Sequence, residues 1–313
     1  MIILTDNIAF AEQCIPENYH WNTCTVSSLA QPVATLADEL FKSDSIMQTE
    51  ISADEHWDYL FAAGRARQSQ FDALSRLATS GRELPDRTIC CAGSGDEFHG
   101  FKGRGWQACE GNIHLSAFVK PGQIIEGAAV GFIIAGVIAA LQTAGSFDLQ
   151  GASPAIKWVN DILLKDAKVG GVLARLQTQG KVIESVVVGI GLNVEQKPAV
   201  KRDIFVPGVA ALADFARHPE DCCHREAFPR LLGCLGQTLE QMRRGQFTEL
   251  LDIYRENSLI MGRQVSIFAD TKETTYECLE QGVVESIGPS LELYLKGRQA
   301  PITKGRLRLD KLA

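Results

Sequence analysis

The stretch AIKWVNDILLKDAKVGGVLARLQ, residues 155–177, indicates the fold class of this 313-residue chain. Its first part, AIKWV (155–159), is apolar enough for a buried strand, and DILLKDAKVGGVLARLQ (161–177) has the pattern of a short hairpin. Three more apolar runs predict further strands: RTICCAG (87–93), NIHLSAFVK (112–120) and ESVVVGIGLNV (184–194).

Helical patterns surround these strands. Residues 57–79 predict a short strand or turn followed by an amphipathic helix. GAAVGFIIAGVIAAL (127–141) has about 15 uncharged residues, fewer than the roughly 20 that cross a bilayer, so we expect a buried helix whose small residues approach the sheet closely. Two more helical segments are expected near 208–216 and 226–255. We therefore predict an α+β domain, a mixed sheet flanked by helices.

The pattern changes near residue 260. GRQVSIFAD, LELYLKG and APITKGRLRLD are short alternating runs with turns between them, which indicate a small C-terminal β barrel or SH3-like domain. We divide the chain into an extension (1–60) whose role the sequence leaves open, a main domain (61–258) and this small β domain (259–313). Residues 1–60 contain no helix-turn-helix pattern.

The composition is that of a soluble globular protein, with 45% hydrophobic and 22% charged residues. The net charge of -7 argues against nucleic acid as the principal partner, because binding to phosphate backbones depends on Lys and Arg. The nine cysteines include no C-x-x-C and no zinc-ligand spacing, so we expect free thiols and no metal site of the protein's own. No signal peptide or membrane span is expected, which favours the cytoplasm.

A glycine-rich loop, GSGDEFHGFKGRGW (93–106), could cradle an anion. Glycines allow backbone N–H groups to converge, Lys102 and Arg104 could neutralise phosphate oxygens, and Trp106 offers a flat face for a base. A plain glycine-rich surface hairpin explains the loop equally well. It matches neither the phosphate-binding nor the dinucleotide-binding glycine fingerprint.

Two further elements carry polar groups at strand ends. In KWVND (157–161), Asp161 precedes Lys168 by seven residues, so a tight hairpin would turn both side chains into one cleft. An ammonium there suits the meeting of a carboxylate with a phosphate, and the carboxylate could orient the lysine or help hold magnesium. An exposed ion pair across a hairpin is the alternative. In GIGLN (189–193), small residues permit close ligand approach and Asn193 can donate and accept, although a turn with an Asn cap has the same pattern.

Taken in order, these elements resemble the biotin protein ligase family, over roughly residues 65 to 310. That family shows G-R-G-R-x-G-R-x-W, then G-N-x-x-x-S, then K-W-P-N-D with a lysine seven residues beyond the Asp, then G-I-L and G-x-G-x-N. The matching residues are Gly100, Gly103, Arg104, Trp106, Gly111, Asn112, Ser116, Lys157, Trp158, Asn160, Asp161, Lys168, Gly171, Val172, Leu173, Gly189, Gly191 and Asn193.

The resemblance implies an enzyme that adenylates biotin with ATP and transfers the biotinyl group to a lysine of a biotin carboxyl carrier protein. It implies catalytic roles for Lys168, Asp161 and Arg104, and Mg²⁺ as a companion of ATP. The remaining implied contacts are to ATP by Gly100, Lys102, Gly103, Arg104, Trp106 and Asn193, and to biotin by Ser69, Gln70, Lys168, Gly171, Leu173 and Gly191.

The sequence departs from the family pattern around the expected ureido contacts of biotin. Gly95 stands where a Gln is usual, Ser69-Gln70-Phe71 replaces Ser-Thr-Asn, and Phe98-His99 replaces the first Gly-Arg of the loop. Phe101 and Lys102 replace two arginines, and Val159 replaces the Pro of K-W-P-N-D. Adenylation is therefore better supported than the identity of the acid.

Two alternatives stay open on the sequence. One is a lipoate or octanoate protein ligase on the same fold, which the altered ureido contacts favour. The other is a noncatalytic binding protein on a ligase scaffold, against which Lys168, Arg104, Asp161 and Asn193 speak. A homodimer is compatible with the sequence.

Overall fold

A computed structural model describes residues 1–15, 19–52, 55–200, 203–206, 208–270 and 276–310. Its largest element is a ten-stranded sheet with the order β2-β3-β1-β4-β5-β6-β10-β9-β8-β7. The strands in chain order are β1 (Ile2–Thr5), β2 (Asn22–Thr25), β3 (Ser45–Glu50), β4 (Tyr59–Gln68), β5 (Thr88–Glu97), β6 (Ile113–Val119), β7 (Pro154–Lys157), β8 (Asp161–Leu164), β9 (Ala167–Gln179) and β10 (Val182–Leu192).

The sheet is mixed, as the sequence predicted. β4 pairs in parallel with β1 and with β5, whereas the pairs from β5 through to β7 are antiparallel. Three strands come from residues 1–60, so this segment extends the large sheet at the edge beyond β4.

Helices cover both faces of the sheet. The described helices are α1 (Ile8–Cys14), α2 (Val33–Leu40), α3 (Gln70–Thr79), α4 (Ala128–Gly145), α5 (His224–Arg243) and α6 (Phe247–Glu256). One hydrophobic cluster joins α4, α5 and α6 to one sheet face, and a second joins α2 and α3 to the other. Apolar residues therefore alternate between two buried sides along the central strands, which explains their continuously apolar sequences.

α4 is the predicted buried helix. Its length and mean hydropathy of 1.9 would suit a membrane span, but 72% of it is buried inside the protein. Gly136 lets α4 approach the sheet, since a Cβ there would lie 2.7 Å from Val172 Cγ1 and 2.9 Å from Val188 Cγ1.

The helix predicted at 208–216 is wrong. That segment contains only a 3-10 turn at Leu212–Asp214. Its backbone pairs with the sheet instead, because Lys168 N donates to Gly208 O and Ala210 N donates to Lys168 O. The segment predicted helical at 226–255 forms α5 and α6, which are separated by Gly245 at a φ of 78°.

The predicted small C-terminal β structure is confirmed. It is a four-stranded antiparallel sheet of order β13-β12-β11-β14, built from β11 (Gln264–Phe268), β12 (Cys278–Ile287), β13 (Leu293–Leu295) and β14 (Arg306–Leu309). The division into residues 1–60, 61–258 and 259–313 stays a prediction.

Candidate active site

A cavity of about 560 Å³ lies between the large sheet, the loop after β5 and the C-terminal sheet. It brings together residues that are far apart in the sequence. Most of the predicted site residues line this cavity, namely Ser69, Gly100, Lys102, Arg104, Trp106, Asp161, Lys168, Gly171, Leu173, Gly191 and Asn193.

The floor of the cavity consists of residues in register on neighbouring strands. Gly171 of β9 pairs with Gly191 of β10, which pairs with His114 of β6. Two residues further along the strands, Leu173 pairs with Gly189 and Gly189 with Ser116. Because side chains alternate along a strand, these two rows face the same side of the sheet. The glycines leave room for a ligand to lie on the backbone.

A β-bulge turns Lys168 toward this floor. Lys168 and Gly171 are three residues apart, which in a regular strand would place them on opposite faces. Between β8 and β9 the register shifts, so that Leu163 pairs with Lys168 while Ile162 pairs with Gly170. The extra residue puts Lys168 on the side of Gly171, and a Cβ on Gly171 would lie 3.3 Å from Lys168 Nζ.

Lys168 and Asp161 form a close ion pair in the cavity. Lys168 Nζ lies 2.6 Å from Asp161 Oδ1, and the two side chains are only 22% and 18% exposed. Burial alone would raise the pKa of the Asp161 carboxyl, but the charges of Lys168 and Lys157 outweigh burial and hold that pKa below its ordinary value. The carboxylate is thus charged at neutral pH and fixes the direction of the ammonium group.

The turn before Asp161 is anchored on three sides. Trp158 Nε1 donates to Leu291 O, in the turn between β12 and β13, at 2.7 Å, and Tyr254 Oη donates to Val159 O at 2.8 Å. Asn160 Nδ2 donates to Val172 O at 2.6 Å, which ties the turn to β9. Contacts with separate elements therefore fix the position of Asp161, the first residue of β8.

Trp106 lies on the glycine floor. A Cβ on Gly191 would be 2.5 Å from Trp106 Cζ2, so the indole rests directly on that residue. Trp106 Nε1 donates to His114 Nδ1 at 3.2 Å, and His114 Nε2 lies 3.0 Å from Cys109 O. Burial lowers the pKa of His114 to about 4, so the ring is neutral at pH 7 and can accept with one nitrogen and donate with the other.

The loop that carries Trp106 is held at both sides. His99 Nε2 lies 2.5 Å from Asp72 Oδ2 of α3, and Lys102 Nζ lies 2.6 Å from Asp270 Oδ2 beside β11. Partial burial opposes protonation of His99, but hydrogen bonds to Gly100 O and Asp72 outweigh it and raise the His99 pKa. The loop is therefore closed over the cavity by charge-assisted contacts.

Asn193 presents a free acceptor at the end of β10. Its Nδ2 donates to Ala210 O at 3.0 Å, which fixes the amide orientation. Its Oδ1 is buried and has no hydrogen-bond partner among the described residues. A buried acceptor without a partner costs free energy unless a ligand donor satisfies it. Asn193 can thus receive an N–H of a molecule bound in the cavity.

Comparison with known proteins fits this geometry. Residues 83–193 match the Biotin/lipoate A/B protein ligase family. The match ends at Asn193, and it includes the loop, the glycine floor and the Asp161–Lys168 pair.

Two curated relatives are named as ligases. The chain is 32% identical to the bifunctional ligase/repressor BirA of Bacillus subtilis over 133 residues, which are 41% of this chain and 40% of the relative. It is 28% identical to the biotin--[acetyl-CoA-carboxylase] ligase of Mycobacterium tuberculosis over 225 residues, 71% of this chain and 79% of that protein. The chain thus spans well under half the length of the Bacillus relative.

A solved structure shows the same fold. The biotin protein ligase of Aquifex aeolicus, in complex with biotin and ATP, superposes with a TM-score of 0.60 at 17% identity, covering 81% of this chain and 99% of that one. The likeness covers more of the chain than residues 83–193, and it shows that the two proteins share a fold.

Two of the residues predicted to contact ATP or biotin lie outside the cavity wall. Gln70 is buried, with Nε2 donating to Cys91 O at 3.0 Å, and it does not line the cavity. Its neighbours Ser69 and Phe71 line the cavity instead, while Gln70 Oε1 is buried without a hydrogen-bond partner among the described residues, so its role as a biotin contact stays a prediction. Gly103 is also absent from the wall, although Lys102 and Arg104 on either side belong to it.

The sequence missed the cavity residues of the C-terminal sheet. Lys304 and Arg306 line the cavity, and Arg306 pairs with Asp203 at 3.0 Å while its guanidinium stacks 3.6 Å above Phe205. From the other side, Lys157 Nζ donates to Phe205 O at 2.5 Å. The basic run KGRLR (304–308) is the one sequence signal that could have suggested an anion near this sheet.

Proposed function

We propose that this chain is an ATP-dependent biotin–protein ligase, which adenylates biotin and transfers it to a lysine of a carrier protein. The observation that carries the proposal is that Lys168, Arg104 and Asn193 line one cavity, with the Lys168 amine beside a glycine floor. Cations, a flat indole and a free amide acceptor in one enclosed space suit an acid and a nucleotide bound side by side.

In the first step, a carboxylate oxygen of biotin attacks the α-phosphorus of ATP and pyrophosphate leaves. Both reactants are anions, so a cation between them lowers the barrier to their approach. Lys168 supplies that charge, because Asp161 directs its ammonium toward Gly171. Arg104 lines the same cavity and would add charge on the phosphate side.

In the second step, the amine of a carrier lysine attacks the acyl carbon of the mixed anhydride, and AMP leaves. Water would compete with that amine, so the intermediate must be shielded. The loop held by His99–Asp72 and Lys102–Asp270 covers the cavity and supplies that shield.

The nucleotide base would bind at the Asn193 end. The free Oδ1 of Asn193 can accept from the exocyclic amine of adenine, and the indole of Trp106 can pack against the base. Lys102 and Arg104 would contact the phosphates, together with the C-terminal Lys304.

Mg²⁺ would arrive with the phosphates. No group of three or more His, Cys, Asp or Glu side chains among the described residues could hold a metal by itself. Asp161 is the carboxylate that could contribute to magnesium binding, but it already forms an ion pair with Lys168. Magnesium keeps most of its water and binds through substrate phosphates in many such sites, where it neutralises phosphate charge.

The proposed acceptor is a biotin carboxyl carrier protein or domain. The Mycobacterium tuberculosis relative is named as a ligase for acetyl-CoA carboxylase, and 79% of its length is matched. We place the reaction in the cytoplasm, where free cysteines such as those of this chain stay reduced.

Pyrophosphate release with ATP and biotin tests the proposal, followed by mass spectrometry of a carrier domain. Wild-type protein is expected to release pyrophosphate and add one biotinyl group, and Lys168→Ala is expected to lower release by at least a thousandfold. Lys165→Ala, in the turn before β9, is the matched control and should act as wild type. Equal release by wild type and Lys168→Ala would contradict the role of Lys168, and no release with any acid would reject a ligase.

A further inference from the structure

The end of the cavity away from Lys168 is walled by two aromatic rings that rest on glycines. A Cβ on Gly189 would lie 2.9 Å from Phe71 Cδ2, and a Cβ on Gly95 would overlap the ring of Phe98. Both phenylalanines line the cavity. The rings therefore occupy space that side chains at these two strand positions would otherwise fill.

The strand register gives the distance between these rings and the end of the cavity at Lys168, which we call the reacting end. Gly189 lies two residues beyond Gly191 on β10, which corresponds to roughly 7 Å along the strand. Beyond Gly189, Val187 and Phe118 pack with Phe71 and Leu74 in the hydrophobic cluster beneath α3. The slot thus runs from Lys168 over the glycine floor and ends at Phe71.

The polar groups at this end are small. Ser69 and Ser116 are buried residues that line the cavity, and neither hydroxyl has a hydrogen-bond partner within the part of the chain that is described. Two histidine rings line the cavity as well: His114, whose ring centroid lies 5.7 Å from that of Phe98, is bonded to Trp106 and Cys109 O, and His99 is bonded to Asp72 and Gly100. Of the amides on the cavity wall, Asn160 and Asn193 stand at the nucleotide end and Gln107 follows Trp106.

We infer that this site takes a wider class of acids than biotin alone: carboxylic acids with a compact uncharged head, whether the head is a polar ring or an apolar one. The inference rests on the proposed function. Phe98 is the residue that sets this selectivity, because its ring stands where a polar side chain could otherwise face the head of the acid.

The expected selectivity follows from the chemistry of the walls. A site built from fixed hydrogen-bonding groups rejects an acid that lacks their partners by about 10⁴-fold, because those groups are left unpaired. An apolar wall discriminates between ligands of similar size by only about 10- to 200-fold. Two serine hydroxyls can rotate or bond locally when the head is apolar, so they favour a ureido ring without strongly excluding other heads.

The test compares kcat/KM for pyrophosphate release with biotin and with lipoate, whose dithiolane head is apolar. Wild type should prefer biotin by less than about 200-fold. Phe98→Gln introduces an amide and should raise that preference at least tenfold, whereas Phe98→Leu has similar size, stays apolar and should leave it within about threefold. Ser116→Ala removes a hydroxyl and should lower the preference. Phe101→Gln, an exposed position of the same loop, should not change the ratio between the acids.

A ratio between two acids on one protein preparation is insensitive to the folded fraction. A wild-type preference above about 200-fold, or the same preference in Phe98→Gln and Phe98→Leu, would overturn the inference while leaving the ligase intact. If neither acid gives pyrophosphate, the proposed function fails. In that case the ratio of the affinities for biotin and lipoate, measured by calorimetry, tests the inference in place of the ratio of kcat/KM values.

Discussion

The two ends of the cavity are built in different ways. At the reacting end, Asp161, Lys168 and Asn193 are charged or polar, and each is oriented by a named hydrogen bond or ion pair. At the head end, Phe71 and Phe98 lie against glycines, and the hydroxyl of Ser116 is uncommitted. The reacting end specifies a chemistry, because it fixes charges in space, whereas the head end specifies mainly a size. Activation of a carboxylate is thus the better determined property.

The glycine floor joins the two ends, and closing it should have the largest effect after the loss of Lys168 itself. In Gly191→Ala the new Cβ would lie 2.5 Å from Trp106 Cζ2, so the indole must leave its position or the slot must narrow. We expect kcat/KM for the acid to fall at least a hundredfold in pyrophosphate-release assays.

Gly233→Ala is the control for that change. Gly233 lies within α5, and a Cβ there would meet nothing within 4 Å. Activity should be retained, and the free energy of unfolding should rise by up to about 1 kcal/mol, because Ala is the better helix former. Equal activity losses in the two variants would show that the floor has no special role.

At the reacting end, Asp161→Asn should have the next largest effect. The amide keeps the shape but loses the charge that holds Lys168 Nζ at 2.6 Å. Misdirection of a catalytic group by about 1 Å can lower a rate about a hundredfold, so we expect kcat to fall about 10- to 100-fold. The selectivity between biotin and lipoate should not change, since the head end is untouched. If Asp161→Asn changed the selectivity but not kcat, the assignment of the chemistry to the Lys168 end and of the selectivity to the head end would be wrong.

Sequence reasoning succeeded where spacing within one segment carries the geometry. Asp161 and Lys168 are seven residues apart on a tight hairpin, and the side chains of these two residues meet as expected. It did not show the bulge between β8 and β9, since a register shift depends on the partner strand. Nor did it show that Phe98 would cover Gly95, or that Arg306 would reach Phe205, because such contacts are set by the packing of separate elements. The failed helix at 208–216 has the same cause, because pairing with Lys168 overrode local preference.

The loop that spans both ends should close less firmly as pH rises. The His99 pKa is raised above its ordinary value of 6.5 by hydrogen bonds to Gly100 and Asp72, so the His99–Asp72 tie stabilises the folded loop fully below about that pH. The stabilisation is lost as pH rises through the raised pKa. We expect hydrolytic loss of the acyl-adenylate to increase about three- to tenfold between pH 6 and 9, as measured by AMP release without a carrier. Asp72→Asn should flatten this dependence, and an unchanged profile in that variant would exclude His99 as the titrating group.

The smallest effect is expected for the second tie of the loop, between Lys102 and Asp270. Lys102 is 47% exposed, and ion pairs of this kind contribute about 0.2–1 kcal/mol and weaken with salt. Asp270→Asn should therefore raise the rate of adenylate loss by only about two- to threefold at low ionic strength, and by less at 0.5 M salt. Phosphate binding by Lys102 would compete with this pair, so the variant should bind ATP at least as tightly as wild type in equilibrium titrations. Weaker ATP binding by Asp270→Asn would indicate that the C-terminal sheet positions Lys102 for the nucleotide, and would make that sheet part of the reacting end.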